Sequence, residues 1–238
     1  MRRVLLGTPA YGSEVTAQFF FAFSETLRLC LANDIDLRPL LPTNDIVTHA
    51  RNKLIHSAIQ YNFDDLVFID ADQDWKAADF LRLLSHPVAC VGAPVRKKRD
   101  DAELYNVRTK TGPRSIITDP ATGLMTSADM CVGTGFLRLS REAVQALWAK
   151  AEPYKVWGDN EEYRWVFDFR PMSGELMSED TLMCEKLRAC GIPVWLDPAI
   201  AVGHWGSKCY AGDFPKWLGE QSKAHLRLVA VGAVDDAS

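Results

Sequence analysis

The sequence predicts an α/β fold in which a mostly parallel sheet is flanked by helices, with a smaller mixed or antiparallel part in the C-terminal half. Three observations lead to this expectation. Short apolar runs alternate with longer helical patterns through the first hundred residues, as they do in β-α-β units. Between residues 96 and 130 the chain is polar and contains Gly and Pro, which indicates loops and short antiparallel strands. Apolar runs and helical patterns return from residue 131.

The elements of the first half follow from the period of the apolar residues. Ser13 and Asp45 are the expected N-caps of the first two helices, because short polar side chains satisfy free amide groups there. Ala50, Leu54 and Ala58 recur at helical spacing in the second helix. The predicted strands are residues 3–7, 35–40, 66–69 and 88–92, and the predicted helices are residues 13–33, 45–61 and 77–84.

The second half is predicted in the same way. A strand is expected over residues 132–139, and helices are expected over residues 141–150 and 178–189, with Ser178 as the cap of the latter. A last strand at 194–196 and a C-terminal helix in the region 214–231 complete the pattern. We find neither an internal repeat nor a flexible linker, so the sequence predicts a single domain, 1–238.

Composition excludes several classes of protein. Hydrophobic residues make up 47% and charged residues 24% of the chain, which argues against a disordered or fibrous protein. The net charge of -4 argues against a surface that coats nucleic acid non-specifically. No apolar run approaches the ~20 residues of a membrane span. The six cysteines form no Cys-x-x-Cys pair and lie mostly in apolar stretches, so we expect reduced, mostly buried thiols and a cytoplasmic protein without a signal peptide.

Carboxylates follow a buried strand at residues 66–74. Asp70 and Asp72 come directly after the apolar run that ends at Ile69, and the carboxyl ends of parallel strands are where open sheets bind ligands. Two carboxylates one residue apart can present oxygens to a hard cation such as Mg²⁺ or Mn²⁺. The alternative is a polar turn in which Asp72 or Asp74 caps the next helix.

Two later segments carry candidate functional groups. Glu179 and Asp180 stand in the first turn of a predicted helix, where acidic residues also occur simply because they complement the helix dipole. His204 follows an apolar run and precedes a loop of small residues. Such a histidine is either a metal ligand or a structural residue with satisfied hydrogen bonds.

Taken in this order, the segments resemble the GT-A class of nucleotide-sugar-dependent glycosyltransferases, especially small family 2-like enzymes of bacteria and phages. The motifs that carry the resemblance are Thr48-His49-Ala50-Arg51-Asn52, Phe68-Ile69-Asp70-Ala71-Asp72, Val132-Gly133-Thr134-Gly135-Phe136, Ser178-Glu179-Asp180, and Trp195-Leu196-Asp197-Pro198 with His204. The resemblance implies a GT-A-like, Rossmann-related fold. It also implies a nucleotide-binding half, 1–95, and an acceptor-binding and metal-completing half, 96–238.

The resemblance implies roles for the acidic strand end. Asp72 and the distant His204 would ligate Mn²⁺ or Mg²⁺ together with the donor diphosphate, and Asp70 would approach the metal or the donor ribose. The cation would neutralise charge on the departing nucleoside diphosphate. Arg51 resembles the family arginine near the nucleotide, and the alternative for this residue is a solvated helix face.

Asp180 resembles the catalytic base of inverting members, with Glu179 as the second candidate, while a retaining family with a similar acidic pair leaves the stereochemistry open. In the first loop, Thr8, Pro9 and Tyr11 would contact the donor nucleotide, with Tyr11 stacking on its base. Lys208 would close over the diphosphate. The resemblance makes a UDP-sugar the expected donor. The stretch 41–45, however, offers no clear counterpart of the acidic residue that reads uracil in many members, so no residue identifies the base.

The leading hypothesis is therefore a metal-dependent glycosyltransferase, of the hexosyltransferase type, that uses a nucleotide-sugar donor. The acceptor can be a glycan, a small molecule, a protein or modified DNA, and the oligomeric state is open. Two alternatives remain. One is a nucleotidyltransferase or phosphohydrolase that uses the same Asp-x-Asp site, and the other is a non-catalytic module that binds nucleotide sugars. The basic run 96–99 would contact phosphates or a polyanionic acceptor, or else form a solvated loop.

Overall fold

Eight strands form one mixed sheet in the computed structural model, which describes residues 1–172 and 174–223. The described helices are α1 (Ala17–Ala32), α2 (Val47–Gln60), α3 (Ala77–Ser85), α4 (Arg141–Lys150) and α5 (Glu179–Ala189), and residues 214–223 are also helical. Single 3₁₀ turns lie at Tyr11–Ser13 and Pro113–Ser115.

The described strands are β1 (Arg2–Gly7), β2 (Ile35–Leu40), β3 (Asp65–Ile69), β4 (Gln73–Trp75), β5 (Cys90–Gly92), β6 (Val107–Arg108), β7 (Ile117–Thr118), β8 (Met125–Thr126), β9 (Cys131–Val132), β10 (Phe136–Ser140), β11 (Pro153–Lys155), β12 (Glu162–Arg164), β13 (Arg170–Met172), β14 (Glu175–Met177), β15 (Trp195–Leu196), β16 (Val202–Trp205) and β17 (Cys209–Tyr210).

The main sheet has the strand order β2-β1-β3-β10-β5-β15-β8-β7. Strand β1 is parallel to β2 and β3, and β15 is parallel to β5. Strand β10 lies between β3 and β5 and is antiparallel to both, with Phe136 opposite Ile69 and Leu137 opposite Gly92. Strands β1, β2, β3, β5 and β15 therefore end at one edge of the sheet, where β10 begins. The predicted α/β fold with a helix-flanked sheet is confirmed.

The core lies on both faces of this sheet. Along β3, Leu66 and Phe68 pack into the apolar cluster that includes side chains of α2, α4 and α5. Val67 and Ile69 point the other way, into the cluster that includes side chains of α1 and α3. Burial on both faces explains why β3 reads as a continuous apolar run rather than an alternating one. Four of the six cysteines are buried, as expected for structural thiols.

Two predicted helix caps are wrong. Ser13 belongs to the 3₁₀ turn before α1 and has a φ of 61°, in the left-handed region. Thr16 is the cap instead, and its Oγ1 accepts a hydrogen bond from the Phe19 amide at 3.1 Å. Asp45 does not cap α2, because its carboxylate pairs with Lys53 at 2.8 Å and Ile46 takes the cap position. In α1 a second residue of capping type takes the position, whereas α2 begins without a side-chain cap.

The predicted strand 132–139 is divided. Strand β9 pairs with β6 in a separate two-stranded sheet, a turn follows at 133–135, and only β10 enters the main sheet. Strand β4, which was not predicted, pairs with β16. Ser178 stands at the cap of α5, but its hydroxyl donates to Asp180 instead of accepting a backbone amide. The part of the predicted C-terminal helix after residue 223 lies outside the described residues.

A buried carboxylate ties α3 to the end of β15. Asp197 is fully buried and accepts hydrogen bonds from Arg82, His86 and the Ala199 amide. Burial alone raises the pKa of Asp197, but the bonds from Arg82 and His86 outweigh it and hold the pKa below its ordinary value. In the described ranges, no helix combines the length and apolar character that a membrane crossing requires.

Candidate functional site

A cleft of about 930 Å³ opens where β1 and β3 end, and it contains most of the residues that the sequence singled out. Three segments and one histidine form its walls: the loop after β1, the start of α2, the end of β3, and His204 on β16. The lining residues are Pro9, Ala10, Tyr11, Glu14, Val15, Thr16, Asp45, Ile46, Val47, Ala50, Arg51, Asp70, Ala71, Asp72 and His204.

Asp72 and His204 approach each other at the mouth of this cleft. The Nε2 atom of His204 lies 3.5 Å from Asp72 Oδ1. Nδ1 of the same ring lies 2.8 Å from the carbonyl oxygen of Arg96. Because a carbonyl only accepts hydrogen bonds, Nδ1 carries the proton in this contact. In the neutral ring, Nε2 then presents its lone pair toward Asp72, which is how a second contact orients a metal-binding histidine.

This pair fits a divalent cation. Asp72 Oδ1 is buried and has no hydrogen-bond partner among the residues that the structure describes. One cation with bonds of about 2.1 Å can reach both Asp72 Oδ1 and His204 Nε2, which lie 3.5 Å apart. Within the described ranges, no three His, Cys, Asp or Glu side chains are grouped to hold a metal ion. Two protein ligands suit Mg²⁺, which completes its shell with phosphate oxygens and water.

Asp70, the other predicted ligand, has a protein partner. Arg51 Nη2 donates to Asp70 Oδ1 at 3.2 Å, and Arg51 Nη1 donates to Glu179 Oε1 at 2.5 Å. The guanidinium also lies over the Phe167 ring, 5.8 Å from its centroid. Arg51 is only 5% exposed, so the solvated helix face considered from the sequence is wrong. The arginine joins the acidic end of β3 to the first residue of α5.

Glu179 and Asp180 differ in their contacts. Glu179 is committed to Arg51, whereas Asp180 Oδ1 accepts hydrogen bonds from the Ser178 hydroxyl and the Thr181 amide. Lys97 lies near Asp180: burial and the charge of Arg108 lower the pKa of Lys97, and the charge of Asp180 opposes them. Neither acidic residue lines the cleft. Glu179 is connected to the cleft by its hydrogen bond from Arg51, which does line it.

Gly135 allows the turn before β10 to pass close to the acidic strand end. Its carbonyl accepts a hydrogen bond from the Asp70 amide at 3.1 Å. A Cβ atom at this position would lie 2.3 Å from Nε2 of Gln73, which is buried, and 3.2 Å from Asp70 Oδ2. The glycine therefore permits a backbone approach that a side chain would block.

The residues of the first loop are placed unequally. Pro9 and Tyr11 line the cleft, and Tyr11 is largely exposed at its rim. Thr8 is buried beneath them and does not line it. Lys208 also lies outside the lining and pairs with Asp100, with its ammonium 5.1 Å from the centroid of the Tyr210 ring.

Sequence reasoning missed two residues of the site. Asp45 lines the cleft at the start of α2, in the stretch where no acidic counterpart was identified. Lys98 Nζ contacts Asp72 Oδ2 at 2.5 Å, although the run 96–99 also suited a solvated loop. The place of Lys98 in the chain could have indicated this contact, because the run 96–99 follows β5, and β5 ends at the same edge of the sheet as β3.

No protein-family model matches the chain, and no curated protein matches it. Among solved structures, the chain is similar to A197 from STIV, with 15% identity and a TM-score of 0.50 over 87% of this chain and 86% of that chain. It is also similar to apo UDP-glucose pyrophosphorylase, with 9% identity and a TM-score of 0.42 over 95% of this chain and 98% of that chain. A third match is a glycosyltransferase involved in glycosylation of the major capsid of PBCV-1, with 9% identity and a TM-score of 0.30 over 61% and 62% of the two chains.

The match to A197 shows a shared fold over most of the chain. The other two matches are too distant to indicate an activity for this protein.

Proposed function

We propose that this protein is a metal-dependent glycosyltransferase that moves a sugar from a nucleoside-diphosphate sugar, with a UDP-sugar as the first candidate, to an acceptor hydroxyl. The observation that carries the proposal is the meeting of Asp70, Asp72 and His204 in one cleft at the carboxyl ends of parallel strands. The volume of about 930 Å³ lies within the range of small-molecule sites, about 300–1,000 Å³.

Asp72 and His204 would hold Mn²⁺ or Mg²⁺ in this proposal, since Asp72 Oδ1 is free of hydrogen bonds in the described part of the chain and faces Nε2. The bound cation would act as a Lewis acid that neutralises charge on the departing diphosphate. The carbonyl of Arg96 keeps the imidazole oriented by accepting from Nδ1.

The donor would lie along the cleft wall. Tyr11 at the rim offers an aromatic face for the base, and Asp70 offers carboxylate oxygens to the ribose hydroxyls. Arg51 fixes the orientation of the Asp70 carboxylate by donating to Oδ1. Because the guanidinium is buried between two carboxylates, its role is to position Asp70 and Glu179.

Asp180 is the better candidate for the base. The Oε1 atom of Glu179 is occupied by the buried Arg51 guanidinium, so this carboxylate is engaged by a protein partner. Both described contacts of the Asp180 carboxylate fall on Oδ1. In an inverting transfer, this carboxylate would take the proton of the acceptor hydroxyl while the acceptor oxygen bonds to the anomeric carbon and the bond to the diphosphate oxygen breaks.

Thermal unfolding with nucleoside diphosphates tests the donor site without a known acceptor. The panel would include each common diphosphate with and without Mn²⁺, on the wild type and on Asp72→Ala. A ligand at 100 times its Kd stabilises the native state by about 2.7 kcal/mol, which corresponds to roughly 5–11 °C for a domain of this size. We expect this shift for one diphosphate, dependent on both Mn²⁺ and Asp72.

Asp74→Ala is the matched control, because Asp74 is close in sequence to Asp72 and does not line the cleft. It should keep the shift of the wild type. A shift that survives Asp72→Ala, or the absence of any shift across the panel, would contradict the proposed donor site. Release of free sugar from the matching nucleotide sugar would then test transfer chemistry, with water as the acceptor.

A further inference from the structure

The two oxygens of Asp72 have different partners. Oδ1 faces His204 and accepts no hydrogen bond in the described part of the chain, whereas Oδ2 contacts the ammonium of Lys98 at 2.5 Å. The Lys98 side chain is 32% exposed, so this contact is partly shielded from water. A positive charge thus lies beside the carboxylate that the proposed cation requires.

The fold brings Lys98 to this position from a distant part of the sequence. The segment that carries it is attached to the strand of His204, because the Arg96 carbonyl accepts from the His204 ring and the Arg96 guanidinium donates to the Ala211 carbonyl. The stem of Lys98 crosses Gly206, where an added Cβ would lie 3.4 Å from Lys98 Cδ. The lysine stem therefore packs beside the loop after β16 at ordinary van der Waals distance.

A lysine ammonium and a divalent cation on the two oxygens of one carboxylate compete for a single negative charge. The ammonium donates to Oδ2, and a cation between Oδ1 and Nε2 would place two further positive charges within a few ångströms of it. Repulsion of this kind is relieved when the flexible lysine turns outward into solvent, which its exposure permits.

We propose that Lys98 is the resident counter-ion of Asp72 and that it competes with a divalent cation that binds at Asp72 and His204. Lys98 then lowers the cation affinity of the site and keeps the Asp72 carboxylate paired when no cation is present. The inference rests on the metal site of the proposed function, but it concerns the affinity for the cation alone and needs neither donor nor acceptor.

Titration of the full chain with Mn²⁺, followed by the electron paramagnetic resonance signal of free Mn²⁺, tests this competition directly. Lys98→Met keeps the length of the stem and removes the charge, so we expect binding to tighten about twofold to fivefold, the factor that matches the loss of a partly exposed ion pair. Lys98→Arg keeps the charge and should bind Mn²⁺ as the wild type does. Lys110→Met controls for a general change in surface charge, because Lys110 pairs with Glu185 and is mostly exposed.

The same lysine substitution in a variant that lacks the Asp72 carboxylate shows whether the change in Mn²⁺ binding depends on Asp72. In Asp72→Asn, which lacks the anionic ligand, Mn²⁺ binding should be lost, and adding Lys98→Met should not restore it. Unchanged or weaker binding by Lys98→Met alone, tighter binding by Lys98→Arg, or a gain in Mn²⁺ binding from Lys98→Met in Asp72→Asn would each overturn the inference. Circular dichroism of each variant confirms that it is folded.

The outcomes for this inference and for the proposed function are separable. Mn²⁺ binding that tightens in Lys98→Met supports the competition even if no nucleoside diphosphate shifts the melting temperature. A diphosphate shift that requires Mn²⁺, together with Mn²⁺ affinity that is indifferent to Lys98, leaves the donor site standing and refutes the competition. Absence of Mn²⁺ binding in both the wild type and Lys98→Met refutes the metal site and the inference together.

Discussion

Replacing Arg51 by Met tests whether one buried guanidinium holds the two acidic segments of the site in place. Arg51 is 5% exposed and donates to Asp70 and to Glu179. Met fills a similar volume without the charge, so the variant leaves two carboxylates near each other without their shared partner.

The expected loss of stability follows from the exposure of those carboxylates. Removing one partner of a buried ion pair costs about 3–5 kcal/mol. The Glu179 side chain is 14% exposed and the Asp70 side chain is 34% exposed, so water can solvate Asp70 in part. We therefore expect the free energy of unfolding to fall by about 2–4 kcal/mol.

Urea unfolding at neutral pH measures this difference. With a slope of about 2–3 kcal/mol/M, the midpoint should move down by roughly 1 M. Arg51→Lys keeps a positive charge but has no planar fork to reach both carboxylates, so its loss should be about half as large. Both variants should also weaken the Mn²⁺-dependent shift with nucleoside diphosphate, because Asp70 loses its orientation.

Arg28→Met is the matched control, since Arg28 is 75% exposed and pairs only with the exposed Glu25 in the described part of the chain. It should change stability by less than about 0.5 kcal/mol. An Arg51→Met variant as stable as this control would refute the reasoning, because the guanidinium could not then be holding two carboxylates in a buried network.

Three further predictions concern the frame of the site. Gly135→Ala should lower the free energy of unfolding, measured in urea, by about 1–3 kcal/mol, because the new Cβ overlaps the buried side-chain amide of Gln73. Gly219 lies in a helix with open space around it, so Gly219→Ala should be neutral or stabilising by up to about 1 kcal/mol. Asp197→Asn should cost about 1.5–3 kcal/mol at neutral pH. The pKa of Asp197 is lowered in the folded state, so the stability that its carboxylate contributes is complete above about pH 4 and is lost as the pH falls further. The urea midpoints of wild type and Asp197→Asn should therefore converge below about pH 4. A difference in midpoint that stays constant with pH would contradict this account. Thr16→Ala should lower the thermal midpoint by the equivalent of about 1 kcal/mol and Ser13→Ala should not, since only the threonine accepts a helix amide; equal effects would refute the assignment of the cap.

The elements whose bounds depend on local residue pattern were predicted correctly from the sequence. The bounds of β2 and α4 match the predicted 35–40 and 141–150, because apolar period and flanking polar residues decide them. The division of 132–139 was not predictable in this way. Both pieces are apolar, and only pairing with strands more than twenty residues away, β6 for one and β3 and β5 for the other, separates them.

The candidate site shows the same contrast. Asp72 and His204 were paired through the order of motifs along the chain, and the structure places them 3.5 Å apart. The partners of Arg51 and of Lys98 were not predicted, because each contact joins segments that only the folded sheet brings together. A buried arginine and an exposed one look alike in a helical pattern, since burial depends on what packs against the helix.

The position of β10 governs when β3 and β5 can join one sheet during synthesis. Strands β3 and β5 are made early, but neither can pair with the other because the antiparallel strand that lies between them comes from residues 136–140. Until that strand leaves the ribosome, both have an unpaired edge that is able to join another chain. Truncated products that end before residue 136 should therefore aggregate, whereas the segment that joins β3 to β5 also brings Gly135 against Asp70. The joining of β3 to β5 and the approach of Gly135 to Asp70 are thus one folding event, which precedes the addition of β15.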